Sequence, residues 1–263
     1  MITFQTLKNM AKTDMKTVKP SVFKASILLF VIALIFSLLI TYLSGYDRYM
    51  TNMGNILAEV YQNPEKLQNP TEDFIIELAE EIEAATPKIK PAAIVLIAVI
   101  IIMQGLVSAG FEGYCLKVSR REEAKVLDIM RSFEHFGKAL ALMIIRAIAV
   151  AVGFVFFFFP GILAYYSFSQ CFMIMYDHPD YSVFRCLKES AKLMRGHKMA
   201  LFILQISFIV WHIVSDLITS VIGIAVLQIY TKPYIGLSQA HFYNCIACPE
   251  IYASRTDAPP PQQ

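Results

Sequence analysis

Long apolar segments alternate with short charged segments along this chain, and the pattern predicts its structural elements. Between Gly153 and Gly161 the sequence reads Gly-Phe-Val-Phe-Phe-Phe-Phe-Pro-Gly, at the centre of about thirty uncharged residues from Ala147 to Tyr176. A helix needs roughly 20 apolar residues to cross a bilayer. This stretch is therefore long enough for two spans with a turn at Pro160-Gly161.

The same pattern over the whole chain predicts an all-α, polytopic membrane protein with six transmembrane helices. The predicted spans cover residues 25–46, 91–111, 139–159, 160–176, 199–219 and 221–243. A basic amphipathic arm (1–24) precedes them, and an acidic helical hairpin (47–90), two cytoplasmic segments (112–138 and 177–198) and a tail (244–263) lie between or after them. The last two spans turn either at Asp216, which makes both short, or near Ser220 to Gly223. We prefer the second register, which leaves Lys232 midway through the last span.

Two segments have the pattern of amphipathic helices lying on a membrane surface. The N-terminal arm places Phe4, Leu7, Met10 (or Ala11) and Met15 near helical spacing, with Lys8, Lys12 and Lys16 on another face. The segment 182–196 has an apolar stripe at Phe184, Leu187, Ala191 and Met194, surrounded by basic residues. Such a pattern suits an anionic surface. A solvated tail and a solvated linker are the respective alternatives.

The segment 47–90 predicts a small helical hairpin outside the membrane. It carries nine carboxylates against four Lys or Arg, and two apolar stripes could pack against each other. Asn69-Pro70-Thr71-Glu72 has the residues of a helix start, with Asn69 as the cap and Pro70 in the first position. A protein partner could bind through this acidic surface.

Composition supports a membrane protein, and the distribution of charge predicts which segments face the cytoplasm. Hydrophobic residues make up 56% of the chain, well above the usual share of a soluble domain. Segments 112–138 and 177–198 carry six and five Lys or Arg, so the positive-inside rule places them, and both termini, in the cytoplasm. None of the five Cys lies in the outer hairpin, which argues against a disulfide framework. The first span lacks a signal-peptide cleavage pattern and is expected to stay as an anchor.

Several motifs from Pro160 onward recur together in one family. They are Pro160-Gly161, Asp177-His178-Pro179, the run Ser190 to Lys198, the run Ser207 to Trp211, and the pairs Pro233-Tyr234 and Phe242-Tyr243. In this order they resemble the bacterial integral membrane family called Domain of Unknown Function 975. The resemblance implies a six-span-like protein of the bacterial plasma membrane. It implies no activity and no catalytic residue, and it does not extend to the acidic hairpin or to the C-terminal cysteines.

Two stretches of the chain also resemble each other. Tyr165 to Gln170 reads Tyr-Tyr-Ser-Phe-Ser-Gln, and Tyr234 to Gln239 reads Tyr-Ile-Gly-Leu-Ser-Gln. Each follows a basic segment and lies in the second span of a predicted hairpin. This is either a parallel repeat of the kind found in transporters or a chance similarity between apolar hairpins.

Polar groups within predicted spans are the strongest candidates for a binding site, because burying them in hydrocarbon is costly. At about 1.5 Å rise per residue, five of them fall roughly 10 to 15 Å from the cytoplasmic surface. They are Arg146, Lys232, Gln104, Gln170 and Gln205. This layer contains two cations and no carboxylate, so we expect it to bind an anionic substrate or lipid headgroup. Alternatively, both cations extend to the interface while the glutamines bond between helices.

Other chemistry has weaker support. His241, Cys245 and Cys248 share one predicted helix face, but a closed zinc site needs four ligands, so we predict no metal and no cofactor. The chain has no hydrolase, metalloprotease, phosphate-loop or dinucleotide-binding motif, and we do not expect an enzyme. Topology already explains the basic loops, so no nucleic-acid partner is expected. Binding or transport of an anionic amphiphile ranks first, and a membrane scaffold or regulatory subunit ranks second.

Overall fold

The computed structural model describes residues 4–18, 21–62, 70–222 and 225–256. The structure is 85% helical, and the described residues contain no strand. In chain order the helices are α1 (Phe4–Thr17), α2 (Ser21–Ser44), α3 (Tyr46–Gln62), α4 (Glu72–Ala85), α5 (Pro91–Ser119), a 3₁₀ helix (Val126–Phe133), α6 (Phe136–Phe156), α7 (Phe158–Ser167), α8 (Cys171–Asp177), α9 (Val183–Leu193), α10 (Lys198–Ile206), α11 (Ile209–Ile222), α12 (Gln228–Ala247) and α13 (Pro249–Thr256).

The predicted all-α membrane class is confirmed. Among the described residues, five helical stretches are long and apolar enough to cross a membrane: Val22–Ser44, Pro91–Ser119, Phe136–Phe156, Phe158–Asp177 and Lys198–Ser220. The sixth predicted span, 221–243, is not among them, because its helix α12 carries polar residues along most of its length. Helix α11 passes through Asp216 and ends at Ile222, as in the preferred register.

The chain forms two compact units, of which the larger contains residues 1–31 and 105–263 and the smaller residues 32–104. In the larger unit, α12 tolerates Pro233 in its interior. A proline has no N–H, so it leaves the carbonyl four residues earlier without its helical donor. That carbonyl belongs to Ile229, and the Ser26 hydroxyl donates to it at 2.7 Å. A side chain of α2 thus replaces the missing backbone bond, as polar residues do in membrane helices.

The basic N-terminal arm forms a helix, α1, which packs along α12. Its buried residues are Leu7, Ala11, Asp14 and Met15, so its apolar face is covered by protein. Lys8 donates to the backbone oxygen of Ser207 at 3.3 Å. Burial and the neighbouring ammonium of Lys12 lower the pKa of Lys8. The sequence pattern therefore identified the helix correctly, but the apolar face has a helix as its neighbour.

The turn between the third and fourth spans lies three residues earlier than predicted. Phe157 has an extended backbone (φ −167°, ψ 153°) and separates α6 from α7, whereas Pro160 and Gly161 lie in the first turn of α7. A proline fits there because first-turn N–H groups have no helical acceptor. Gly153 and Gly161 allow α6 and α7 to approach each other closely, because a Cβ at Gly153 would lie 2.8 Å from the Gly161 Cα.

The second amphipathic segment forms α9, capped by Ser182, whose hydroxyl accepts from the Arg185 N–H at 3.4 Å. Leu187 and Met194 of the predicted stripe are buried, but Phe184 is 73% exposed. Cys186 and Ser190 are buried instead. The buried face of α9 is therefore rotated from the predicted stripe toward two small residues, which let neighbouring helices approach. Its placement at a membrane surface stays a prediction.

The smaller unit contains the predicted helical hairpin, formed by α3 and α4, which contact each other. Gly45 joins α2 to α3 with a φ of +69°, a conformation that favours glycine. The cap of α4 is Thr71, whose hydroxyl accepts from the Phe74 N–H at 3.3 Å. The helix thus begins at Glu72, two residues later than the predicted start; the proposed cap, Asn69, lies outside the described residues, as does the Pro-rich end of the chain.

Candidate functional site

A cavity of about 60 Å³ lies within the larger unit. That volume has room for a few water molecules or one small polar group. Residues from α5, α6, α7, α8, α10 and α12 and from the turn before α8 surround it: Glu112, Arg146, Tyr165, Ser169, Gln170, Met173, Leu201, Gln205 and Gln239. Most of these side chains are polar, which is unusual for the interior of a helical membrane unit.

Arg146 lies at the edge of this cavity, half-buried on α6. Its guanidinium carbon is 5.4 Å from the ring centre of Tyr165 and 5.9 Å from that of Phe172, within the range of cation–π attraction. Among the described residues it forms no hydrogen bond or ion pair. Tyr165 is 39% exposed, so the end of the cavity lined by Tyr165 and Arg146 lies at the surface of the unit.

Two buried acceptors face the cavity without donors. They are the Glu112 Oε2 and the Gln170 Oε1, neither of which has a hydrogen-bond partner. The Gln170 side chain is only 2% exposed, and its Nε2 donates to the Ser169 hydroxyl at 3.2 Å. The backbone N–H of Gln170 donates to the Ser190 hydroxyl at 3.2 Å, which fixes the residue on the side of α9. Leaving buried acceptors unpaired costs about 1–3 kcal/mol each.

Gln205 is held at the cavity by its own partner. The Tyr166 hydroxyl donates to the Gln205 Oε1 at 2.9 Å, and the Tyr166 ring packs edge-on against Phe202 at 5.9 Å. This hydrogen bond connects α7 to α10. Gln205 lines the cavity, and its Nε2 donates to no acceptor among the described residues.

The structure brings together three of the five residues of the predicted layer, Arg146, Gln170 and Gln205. Lys232 and Gln104 are exposed, and neither lines the cavity; Gln104 belongs to the smaller unit. The predicted layer had two cations and no carboxylate, whereas the cavity has one cation and Glu112. The reason is that α5 continues to Ser119, past the predicted end at residue 111, and carries Glu112 inward.

Sequence reasoning also missed Gln239, although a signal for it existed. Gln170 and Gln239 are the final residues of the two similar stretches, Tyr165 to Gln170 and Tyr234 to Gln239. Both line the same cavity. Corresponding positions of the two hairpins therefore meet, which is the arrangement that an internal repeat would produce.

The three residues of the weak metal candidate do not share one site. The His241 Nε2 lies 2.7 Å from the Asp14 Oδ2, and both side chains are almost fully buried. The Cys248 Sγ lies 3.7 Å from an Arg120 nitrogen. Within the described ranges no group of three His, Cys, Asp or Glu side chains could hold a metal ion. The pair Asp14 and His241 instead joins α1 to α12.

A second polar cluster lies at the ends of α5, α8 and α12, and we call it the helix-end cluster: Ser119, Arg120, Asp177, Tyr243 and Asn244. Arg120 donates to both Asp177 oxygens and, through Nε, to the Asn244 Oδ1 at 3.0 Å. The Tyr243 hydroxyl donates to Asp177 at 2.8 Å, and Asn244 donates to the Ser119 hydroxyl at 2.8 Å. Burial opposes the charge of Arg120, but the Asp177 carboxylate outweighs it and raises the pKa of Arg120.

These helices define the class: the chain is a multi-pass α-helical membrane protein. The sequence pattern of the family described as "Protein of unknown function (DUF975)" matches residues 147–249. The predicted resemblance is thus confirmed over that stretch. It contains Asp177 and Tyr243, from two of the motifs noted above, which bond directly in the helix-end cluster. No curated protein and no solved structure matches the chain.

Proposed function

We propose that this protein binds, within the membrane, the anionic group of a lipid or another amphiphile at Arg146, as part of transport or lipid handling. The observation that carries the proposal is a half-buried guanidinium at the mouth of a polar cavity, with no carboxylate in ion-pair contact among the described residues. Arginine recognises phosphate and carboxylate through two parallel hydrogen bonds. We assign the site a binding role and no catalytic step.

The shape of the cavity supports an amphiphile. A volume of about 60 Å³ has no room for an acyl chain, but the site opens beside Tyr165. On α6 the neighbours of Arg146 include Ile144 and Ile148, which are 43% and 57% exposed. An anionic headgroup can therefore enter while its chains stay along this apolar surface, which favours an amphiphile over a large soluble anion.

The distribution of basic residues supports a proposed location and orientation in the membrane. The basic segments 112–138 and 177–198 favour a plasma-membrane protein of a bacterium with both termini in the cytoplasm. In this orientation the helix-end cluster is cytoplasmic, because Arg120 and Asp177 belong to those segments. The cavity then lies within the inner half of the membrane, where anionic headgroups are close.

The test compares Arg146→Gln with Lys232→Gln, a matched control in which a charge at an exposed position of the same unit is removed. Purified protein in a neutral detergent is titrated with dihexanoyl phosphatidylglycerol by calorimetry. Losing a charge-assisted contact of about 1.5–3 kcal/mol predicts at least a tenfold weaker affinity for Arg146→Gln. Lys232→Gln should bind as the native protein does. Equal affinities for native protein and Arg146→Gln would refute the proposal.

A scaffold role is the second candidate, and the surface of the hairpin favours it. Tyr61, Ile75 and Ile76 are 76%, 54% and 57% exposed, and glutamates of α3 and α4 lie beside them. A groove between these helices is lined by Glu59, Glu77 and Glu81. If the protein is a scaffold, deletion of residues 51–86 abolishes its role in cells, whereas Arg146→Gln leaves it intact.

A further inference from the structure

The interior of the cavity and its mouth have opposite chemistry. At the mouth the half-buried guanidinium of Arg146 offers donors and a positive charge. In the interior, the Glu112 Oε2 and the Gln170 Oε1 are buried acceptors without donors. A ligand that carries only an anionic group would satisfy Arg146 and would leave both acceptors unpaired.

An anion pushed deeper would meet the buried acceptor oxygens of Glu112 and Gln170, which offer it no donor. Water could supply hydrogen bonds to the two acceptors, but it brings no positive charge to a carboxylate in a low-dielectric site. An ammonium group brings both, since its three N–H donors suit two buried acceptors and its charge stabilises the ionised form of Glu112. The interior therefore favours a small cation, and the mouth favours an anion.

We propose that the cavity binds a zwitterion, with a primary ammonium at Glu112 and Gln170 and a phosphate or carboxylate at Arg146. This rests on the proposed function and names the class of its ligand. The two charges of such a ligand must be only a few bonds apart, as in an aminoethyl phosphate. The Glu112 and Arg146 side chains suit this, because both line the cavity but form no direct ion pair with each other.

The size of the cavity favours a primary ammonium group over a quaternary one. About 60 Å³ accommodates an ammonium and one or two methylene groups, while a trimethylammonium group is larger and has no N–H to donate. A quaternary cation is usually recognised by an aromatic cage. Here, Tyr165 and Phe172 lie against Arg146, so their rings are occupied by the protein's own cation.

The experiment titrates the full-length purified protein with three short-chain lipids that share acyl chains and phosphate: dihexanoyl phosphatidylethanolamine, phosphatidylcholine and phosphatidylglycerol. We expect the ethanolamine lipid to bind at least tenfold more tightly than the other two. O-phosphoethanolamine, which has the headgroup without chains, distinguishes a lipid ligand from a soluble one. If it binds as tightly as the lipid, the zwitterion is a free solute; if it binds more weakly, the ligand is the lipid headgroup.

Glu112→Gln keeps the shape of the side chain and removes its charge, so it should abolish the preference for ethanolamine while phosphatidylglycerol binds no more weakly than before. Gln170→Met is a second variant, and it should reduce the same preference if Glu112→Gln proves unstable. Equal binding of the ethanolamine and glycerol lipids, unchanged in both variants, would overturn the zwitterion and leave the anion site standing. If none of the three lipids binds, or if all of them bind equally well to the native protein and to Arg146→Gln, both proposals are overturned.

Discussion

Arg120 and Arg146 lie in the same unit, each near one carboxylate, and their surroundings differ in one respect. In the helix-end cluster, Arg120 and Asp177 bond to each other and to neighbours on α12. In the cavity, Arg146 and Glu112 stay apart, and buried acceptors have no donors. Both arrangements place charge in a low-dielectric region, where an unpaired group is costly.

This difference in hydrogen bonding indicates that the helix-end cluster stabilises the fold and that the cavity binds a ligand. A fully bonded cluster leaves no atoms for a ligand, so its charges are used to hold three helices together. An open cluster contributes little to folding until something supplies the missing partners. This comparison predicts that removing one side chain from the helix-end cluster lowers stability, and that removing one from the cavity changes binding.

The largest effect is expected for Asp177→Ala. It leaves the Arg120 guanidinium without its carboxylate and the Tyr243 hydroxyl without its acceptor, and breaking a partly buried ion pair from one side costs up to about 3 kcal/mol. The measurement is reversible unfolding of the purified protein in mixed detergent micelles. Asp180→Ala, an exposed aspartate three residues away, is the control and should be neutral. Equal stabilities for the two variants would show that the cluster is not structural.

A second buried pair tests whether closed clusters in general are structural. Asp14→Ala removes the carboxylate that faces His241 at 2.7 Å, and we expect a loss of about 2 kcal/mol, as for a buried hydrogen bond to a charged group. Because this pair joins α1 to α12, hydrogen exchange within residues 4–17 should accelerate as well. Lys16→Ala, at an exposed position of the same helix, serves as control. Unchanged exchange in α1 would mean that apolar packing alone holds the helix.

The smallest effect on stability is expected for Glu112→Gln. Its Oε2 has no hydrogen bond to lose, and the change removes a charge from a buried site, so stability should shift by less than about 1 kcal/mol in either direction. The same unfolding assay applies, with Asp177→Ala as the reference. A loss as large as that of Asp177→Ala would remove the distinction between the two clusters.

Particular helices and residues show how much of the fold and of the cavity the sequence predicts. Periodicity and span length identified α2, α6, α10 and α11, because the apolar run needed to cross hydrocarbon is a local property. Counting depth along straight helices predicts Arg146, Gln170 and Gln205 at one level, and all three line the same cavity. Depth also predicts Lys232 in this layer, but Lys232 is exposed and does not line the cavity, because depth along a helix does not say which side of that helix a residue occupies.

The features that the sequence did not predict depend on contacts between distant segments. The Ser26 hydroxyl bonds to the carbonyl freed by Pro233, and Asp14 meets His241 across more than two hundred residues. The basic residues of segment 112–138 predict a cytoplasmic loop that includes Glu112, but α5 continues through Glu112 to Ser119 and places this side chain at the cavity.

The sequence by itself determined that this protein is a membrane protein, that it is helical, and where most of its helices lie along the chain. Each of these follows from the local spacing of apolar residues. Only the tertiary structure decided which polar groups are paired and which are left open. Hydrogen bonding requires two atoms to lie within about 3 Å, and that condition is met only when helices from remote parts of the chain pack together.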